Sequence, residues 1–94
     1  MRLEGRTAIV TGGGQGIGRA ISLALAEEGS RVAIFDISGE NAKKVAREAE
    51  ALKREAIPVE VDLTRKDHVV NAVKQTLDRF GRIDVLVNNA GTDK

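Results

Sequence analysis

Apolar positions recur along the chain in two rhythms. Four short runs are close to continuous: RTAIVT (6–11), RVAIFD (31–36), IPVEVD (57–62) and DVLVNN (84–89). The first, second and fourth consist mostly of Ala, Val, Ile and Leu, which suits strands covered on both faces of a parallel sheet. Pro58, near the start of the third, predicts a strand start or an edge position, because proline donates no ladder hydrogen bond. Between the runs the apolar steps are three and four. Ile17, Ala20, Ile21, Ala24 and Leu25 share a face over 17–28. Ala42, Val45, Ala46, Ala49 and Leu52 do so over 40–54, and Val69, Val73, Leu77 and Phe80 over 66–80. These are three amphipathic helices. Gly29 and Gly81 stand where helix C-caps belong. Ser38 is placed to cap the second helix, and Thr64 or Asp67 the third.

The order is β-α-β-α-β-α-β. Alternating strands and helices imply right-handed parallel crossovers, hence an α/β fold. The doubly wound, Rossmann-like arrangement predicts the strand order 3-2-1-4. No linker, repeat or low-complexity stretch divides the chain, so residues 1–94 read as a single, partial dinucleotide-binding domain.

Composition narrows the partners. The net charge is +1, with acids and bases interspersed, so no nucleic acid or anionic membrane surface is expected. Phe35 and Phe80 are the only aromatic residues, leaving the core to small aliphatics. There is no cysteine, and the single histidine, His68, has no second ligand near it in sequence, so no metal site is expected. The opening MRLEGRTAIV is too polar for a signal peptide, and no stretch is long enough to span a membrane. A cytoplasmic location is expected.

TGGGQGIG (11–18) joins the first strand to the first helix. Glycines let backbone approach a phosphate, and the helix N-terminus adds free N–H groups and a positive dipole end. A Walker A loop fails, because Arg19 and Ala20 stand where Lys and Ser or Thr are needed. G-x-G-x-x-G fits at no register. G-x-G-x-G, as in methyltransferases, fits at Gly12, Gly14 and Gly16 or at Gly14, Gly16 and Gly18. T-G-x-x-x-G-x-G fits Thr11, Gly12, Gly16 and Gly18.

Asp36 ends the second strand, where a carboxylate accepts hydrogen bonds from both hydroxyls of an adenosine ribose and repels a 2′-phosphate. Ile37 and Ser38 follow, and Gln15 in the loop is uncharged, which favours NAD over NADP. Asp36 also suits a turn or helix cap. Asp62 ends the third strand, where it would accept from an adenine amino group while Leu63 faces the ring. Asp62 equally suits a turn before LTRKD. Both acids also suit a methyltransferase reading its adenosine.

The glycine loop, the acid closing strand two, VDLT and NNAG after strand four together resemble the short-chain dehydrogenase/reductase family, over essentially the whole chain. The resemblance implies hydride transfer between NAD and an alcohol or carbonyl substrate. It implies that Gly12, Gln15, Gly16, Ile17 and Gly18 surround the pyrophosphate and adjoining ribose. It places Asp36 on the adenosine ribose, Asp62 and Leu63 on the adenine, and Asn89, Ala90 and Gly91 along the ribose side of the cleft. Asn88 would brace the sheet.

One departure is large. The family's Ser and Tyr-x-x-x-Lys lie beyond the fourth strand, and this sequence has no tyrosine. No catalytic residue is therefore expected within it, only a fragment that binds NAD. The fourth strand would lack its outer neighbour, so a homodimer or higher assembly through that edge is expected. The alternatives are a self-associating module without activity and a methyltransferase core. His68 and Arg19 read as solvated surface residues.

Overall fold

A computed structural model describes residues 2–90. It contains β1 (Thr7–Thr11), α1 (Gly16–Glu27), β2 (Arg31–Asp36), α2 (Gly39–Ala51), β3 (Ala56–Glu60), α3 (Lys66–Phe80) and β4 (Val85–Asn88). The strands form one parallel sheet in the order β3-β2-β1-β4, as the sequence pattern predicts. Pro58 lies in β3, an edge strand.

The sheet is a three-layer sandwich seen from its core. Val10, Val32 and Ile34 point to one side and pack with Ala26 of α1 and Ala42, Val45 and Ala46 of α2. Ile9, Ala33, Phe35 and Val59 point to the other, closed by Ala72 of α3. Ile34 and Val10 are fully buried, and each such side chain contributes roughly 1.5–3 kcal/mol. The small residues on α2 let it lie close to the sheet.

β4 is covered on one side only. Val87 pairs with Val10 and packs against the α1 and α2 layer. Leu86 pairs with Ile9, which sets it on the α3 side, yet it is 64% exposed because α3 does not reach that far. Asp84 locks the start of the strand. It donates its N–H to the Thr7 carbonyl and accepts the Thr7 N–H, each at 2.9 Å. Arg82 grips the same carboxylate through Nε and Nη2.

Helix ends carry informative differences. Ser38 caps α2, its Oγ accepting the Asn41 N–H at 3.1 Å. α1 ends in a Schellman pair, Gly29 N–H to Ala26 and Ser30 N–H to Leu25, with Gly29 at φ 99°. α2 ends earlier than its periodicity predicts, at Ala51, in the same pair of bonds. There Lys53 takes the left-handed position at φ 65°, which turns the chain before the apolar stripe runs out. β3 stops at Glu60, short of the predicted Asp62. Neither Thr64 nor Asp67 caps α3; Arg65 is the N-cap residue and makes no side-chain cap. Thr64 turns back on Asp62 instead, with its hydroxyl donating to Oδ1 at 2.6 Å.

Candidate functional site

In a sheet of this order, the crevice beyond the carboxyl ends of β1 and β4 is where ligands settle. The loop from Thr11 to Gly18 fills the floor of that crevice. Gly12 sits at φ 65°, a conformation that favours glycine. Gly18 is needed for space, since a Cβ there would overlap the Gly12 carbonyl oxygen. Gly13 N–H reaches the Phe35 carbonyl at 3.2 Å, tying the loop to β2.

The three helices begin differently. α2 has its Ser38 cap and Glu40 in the first turn. α3 has Asp67 in its first turn. α1 has neither a side-chain cap nor an acid in its first turn. Its first N–H groups have no intrahelical acceptor, which leaves a positive end at the loop. Gln15 and Gly16 are exposed beside it, and Ile17 is 73% exposed.

Asp36 stands next to that end. Its Oδ2 accepts the Gly14 N–H and its Oδ1 the Ser38 N–H, both at 2.9 Å. The turn reading of Asp36 is thus satisfied by the fold itself. Each oxygen retains acceptor capacity beyond these bonds, as a carboxylate offers about four lone-pair sites. Ile37 follows and is 68% exposed. In the sequence Ile37 counts only as an uncharged neighbour of Asp36; its exposure adds apolar surface beside the carboxylate.

The end of β4 meets the loop through Thr11. Its Oγ1 accepts the Ala90 N–H at 3.1 Å and stands 3.1 Å from Asn88 Oδ1 as donor. Asn88 therefore does brace the sheet. Asn89 Nδ2 donates to the Gly12 carbonyl at 3.3 Å. Thr11 was visible only as a motif letter; its role as the junction depends on the β1–β4 pairing. Gly91 lies outside the described residues.

Asp62 and Leu63 form a third rim. Thr64 donates to Asp62 Oδ1 through its hydroxyl and, at 3.0 Å, its N–H, holding the carboxyl below its usual range. Leu63 is 39% exposed. His68 is not the solvated residue the sequence suggests. It is half-buried, and its Nδ1 accepts the Asp62 N–H at 3.3 Å. A histidine two turns away from the strand in sequence terms is brought back by the α3 N-terminus.

Arg19 is exposed, as expected, and is also paired. It crosses from α1 to α2, pairing Nε with Glu48 Oε1 at 2.9 Å and Nη2 with Oε2. The hydrogen bonds to Arg19 hold the Glu48 carboxyl below its usual range. The pair lines a cleft of about 500 Å³ between α1 and α2 that opens on Gly14 and Gln15. The loop, Asp36, Asn89 and Ala90 are thus brought together by direct contacts, with Asp62 and Leu63 at the neighbouring strand end. Among the described residues there is no metal-holding group of His, Cys, Asp or Glu, and no helix is long and apolar enough to cross a membrane.

Comparison with known proteins agrees with this geometry. The family model for short chain dehydrogenase matches residues 6–94. A 3-oxoacyl-[acyl-carrier-protein] reductase of Thermotoga maritima is 44% identical over 91 residues, 97% of this chain and 37% of that protein. A sorbitol dehydrogenase of Cereibacter sphaeroides is 46% identical over 90 residues, 96% of this chain and 34% of that protein. The crystal structure of a hydroxysteroid dehydrogenase from Escherichia coli superposes with a TM-score of 0.93 at 36% identity, over 96% of this chain and 38% of that one. The chain spans a little over a third of the length of these relatives.

Proposed function

Because the chain belongs to the short-chain dehydrogenase family, we propose that its residues form the NAD-holding part of an oxidoreductase that moves hydride between a dinucleotide and an alcohol or carbonyl. The observation that carries this reading is the junction at Gly14. There the uncapped N-terminus of α1 and the Asp36 carboxylate meet in one loop. The first offers N–H donors and a positive dipole to a pyrophosphate, the second an acceptor to a ribose. The residues fit the cofactor. Exposed Ile37 and Leu63 offer apolar surface to an adenine, and Asn89 and Ala90 bound the opposite side.

Asp36 favours NAD over NADP in this reading, because a 2′-phosphate would approach a buried-edge carboxylate. Bound dinucleotide would accept hydride from an alcohol or, in its reduced form, donate it to a carbonyl. The residues of this chain would bind and orient it, and the acid–base tyrosine that the family resemblance implies has no counterpart in this sequence. Family membership also removes the support for a methyltransferase reading.

The test is amide shift mapping by 15N NMR with ADP-ribose. Shifts concentrated at Gly12, Gly14, Gly16, Ile17, Gly18 and Asp36 are expected. Shifts that avoid the loop would contradict the reading.

A second reading concerns association. The outer edge of β4 has no strand beside it among the described residues, and Leu86 is 64% exposed. A second copy pairing along Val85–Val87 would cover both. Light scattering should then show a dimer or larger species that Leu86→Lys dissociates. A monomer at high concentration would count against it.

A further inference from the structure

The cleft between α1 and α2 is more cationic than the sequence around Asp36 suggests. Arg19 enters it from α1, and Lys44 and Arg47 from α2. Among the described residues, Glu48 is its one lining carboxylate. The cleft opens on Gly14, whose N–H is bonded to Asp36, and on Gln15, which accepts a hydrogen bond from Asn41 at 3.3 Å. A ribose held by Asp36 would therefore project its 2′-position towards the mouth of this cleft. Three cations in that place would welcome a phosphate. Glu48 occupies the planar fork of one of them, Arg19, and lies within the field of Lys44.

We infer that Glu48 is a specificity-determining residue: by engaging Arg19 it withholds one of the cleft's cations from a 2′-phosphate and so keeps the site selective for NAD against NADP. The inference rests on the dinucleotide reading above and deepens it. Asp36 repels the phosphate directly. Glu48 removes its potential partner. A guanidinium paired through two parallel N–H···O bonds has its donors committed in one plane, so it cannot fork a phosphate at the same time. The two acids therefore act by different routes, and neither replaces the other.

The experiment is a calorimetric titration of the protein with NAD and with NADP, for the unaltered chain, Glu48→Gln and Glu48→Lys. Freeing one guanidinium beside a phosphate is expected to raise NADP affinity about tenfold in Glu48→Gln, with NAD affinity changed far less. Glu48→Lys should change the ratio further in the same direction. The double variant Arg19→Gln/Glu48→Gln should lose the gain. The gain should also shrink as salt is raised, since both partners are solvent-exposed charges. An unchanged ratio of NADP to NAD affinity in both Glu48 variants, with NAD still bound, would overturn the inference and leave the dinucleotide reading standing. Absence of NAD and NADP binding in the unaltered chain would instead overturn the dinucleotide reading and this inference with it.

Discussion

The Asp36 carboxylate accepts the Gly14 N–H at 2.9 Å, so the acid at the end of β2 holds the glycine loop in place before any ligand arrives. Gly14 has no room for a side chain there. A Cβ would lie 2.8 Å from Asp36 Oδ2 and 2.9 Å from Asn41. Gly14→Ala should push the loop off β2 and break this bond. Losing one hydrogen bond to a charged group costs about 1.5–3 kcal/mol, so the expected outcome is a measurable fall in denaturation midpoint together with weaker ADP-ribose binding. Unchanged stability and binding would mean that the loop is not seated on Asp36.

Two helices end in the same hydrogen-bond pattern with different residues at the left-handed position. Gly29 holds it after α1 and Lys53 after α2, at φ 99° and 65°. A side chain in that conformation carries a strain of about 1 kcal/mol that glycine avoids. Lys53→Gly is therefore expected to stabilise the protein by up to that amount in urea denaturation. Gly29→Ala should destabilise it by a similar amount.

Two threonines on β1 should respond in opposite ways to the same substitution. Thr11 Oγ1 joins the Ala90 N–H and Asn88. Thr11→Val would leave those partners unpaired in a half-buried place, costing about 1–3 kcal/mol. Thr7 is fully buried, and its Oγ1 has no hydrogen-bond partner among the described residues. Thr7→Val keeps the shape and removes the unsatisfied hydroxyl, so stability should hold or rise by about 1 kcal/mol. Thermal denaturation of the two variants side by side checks both.

Acid should weaken the fold through Asp84 and Asp62. The Arg82 hydrogen bonds, then the Thr7 N–H, hold the Asp84 carboxyl below its ordinary range. The Thr64 hydroxyl and then its N–H do the same for Asp62. A carboxyl depressed in the folded state binds its proton later than in the unfolded state. Its contribution is present above the unfolded value and is lost as pH falls through the folded one. Stability should therefore decline on acidification below the ordinary carboxylate range. Asp84→Asn should flatten part of that decline. An equally steep decline in the variant would show that the Asp84 linkage is not the cause.

Much of this was legible in the sequence because local and global signals agree. The near-continuous run at 31–36 predicts the buried parallel strand observed, whereas the run at 84–89 forms a strand covered on one side only; the doubly wound arrangement predicts the strand order observed. The glycine spacing, Asp36 and the asparagines mark the loop and strand ends that the fold brings together. What was not legible depends on contacts distant in sequence. Arg19 and Glu48 are 29 residues apart, and only the packing of α1 on α2 joins them. His68 meets the Asp62 backbone only because α3 starts just after a tight turn. The early stop of α2 was hidden because Leu52 continues the apolar stripe while Lys53 turns the backbone.

The central claim is that the Gly14 junction holds NAD by its adenosine end, and titration calorimetry with NAD and NADP tests it most directly. Saturable NAD binding, weaker NADP binding and loss of NAD binding in Asp36→Ala are predicted. Equal affinity for the two dinucleotides, or NAD affinity untouched by Asp36→Ala, would contradict it.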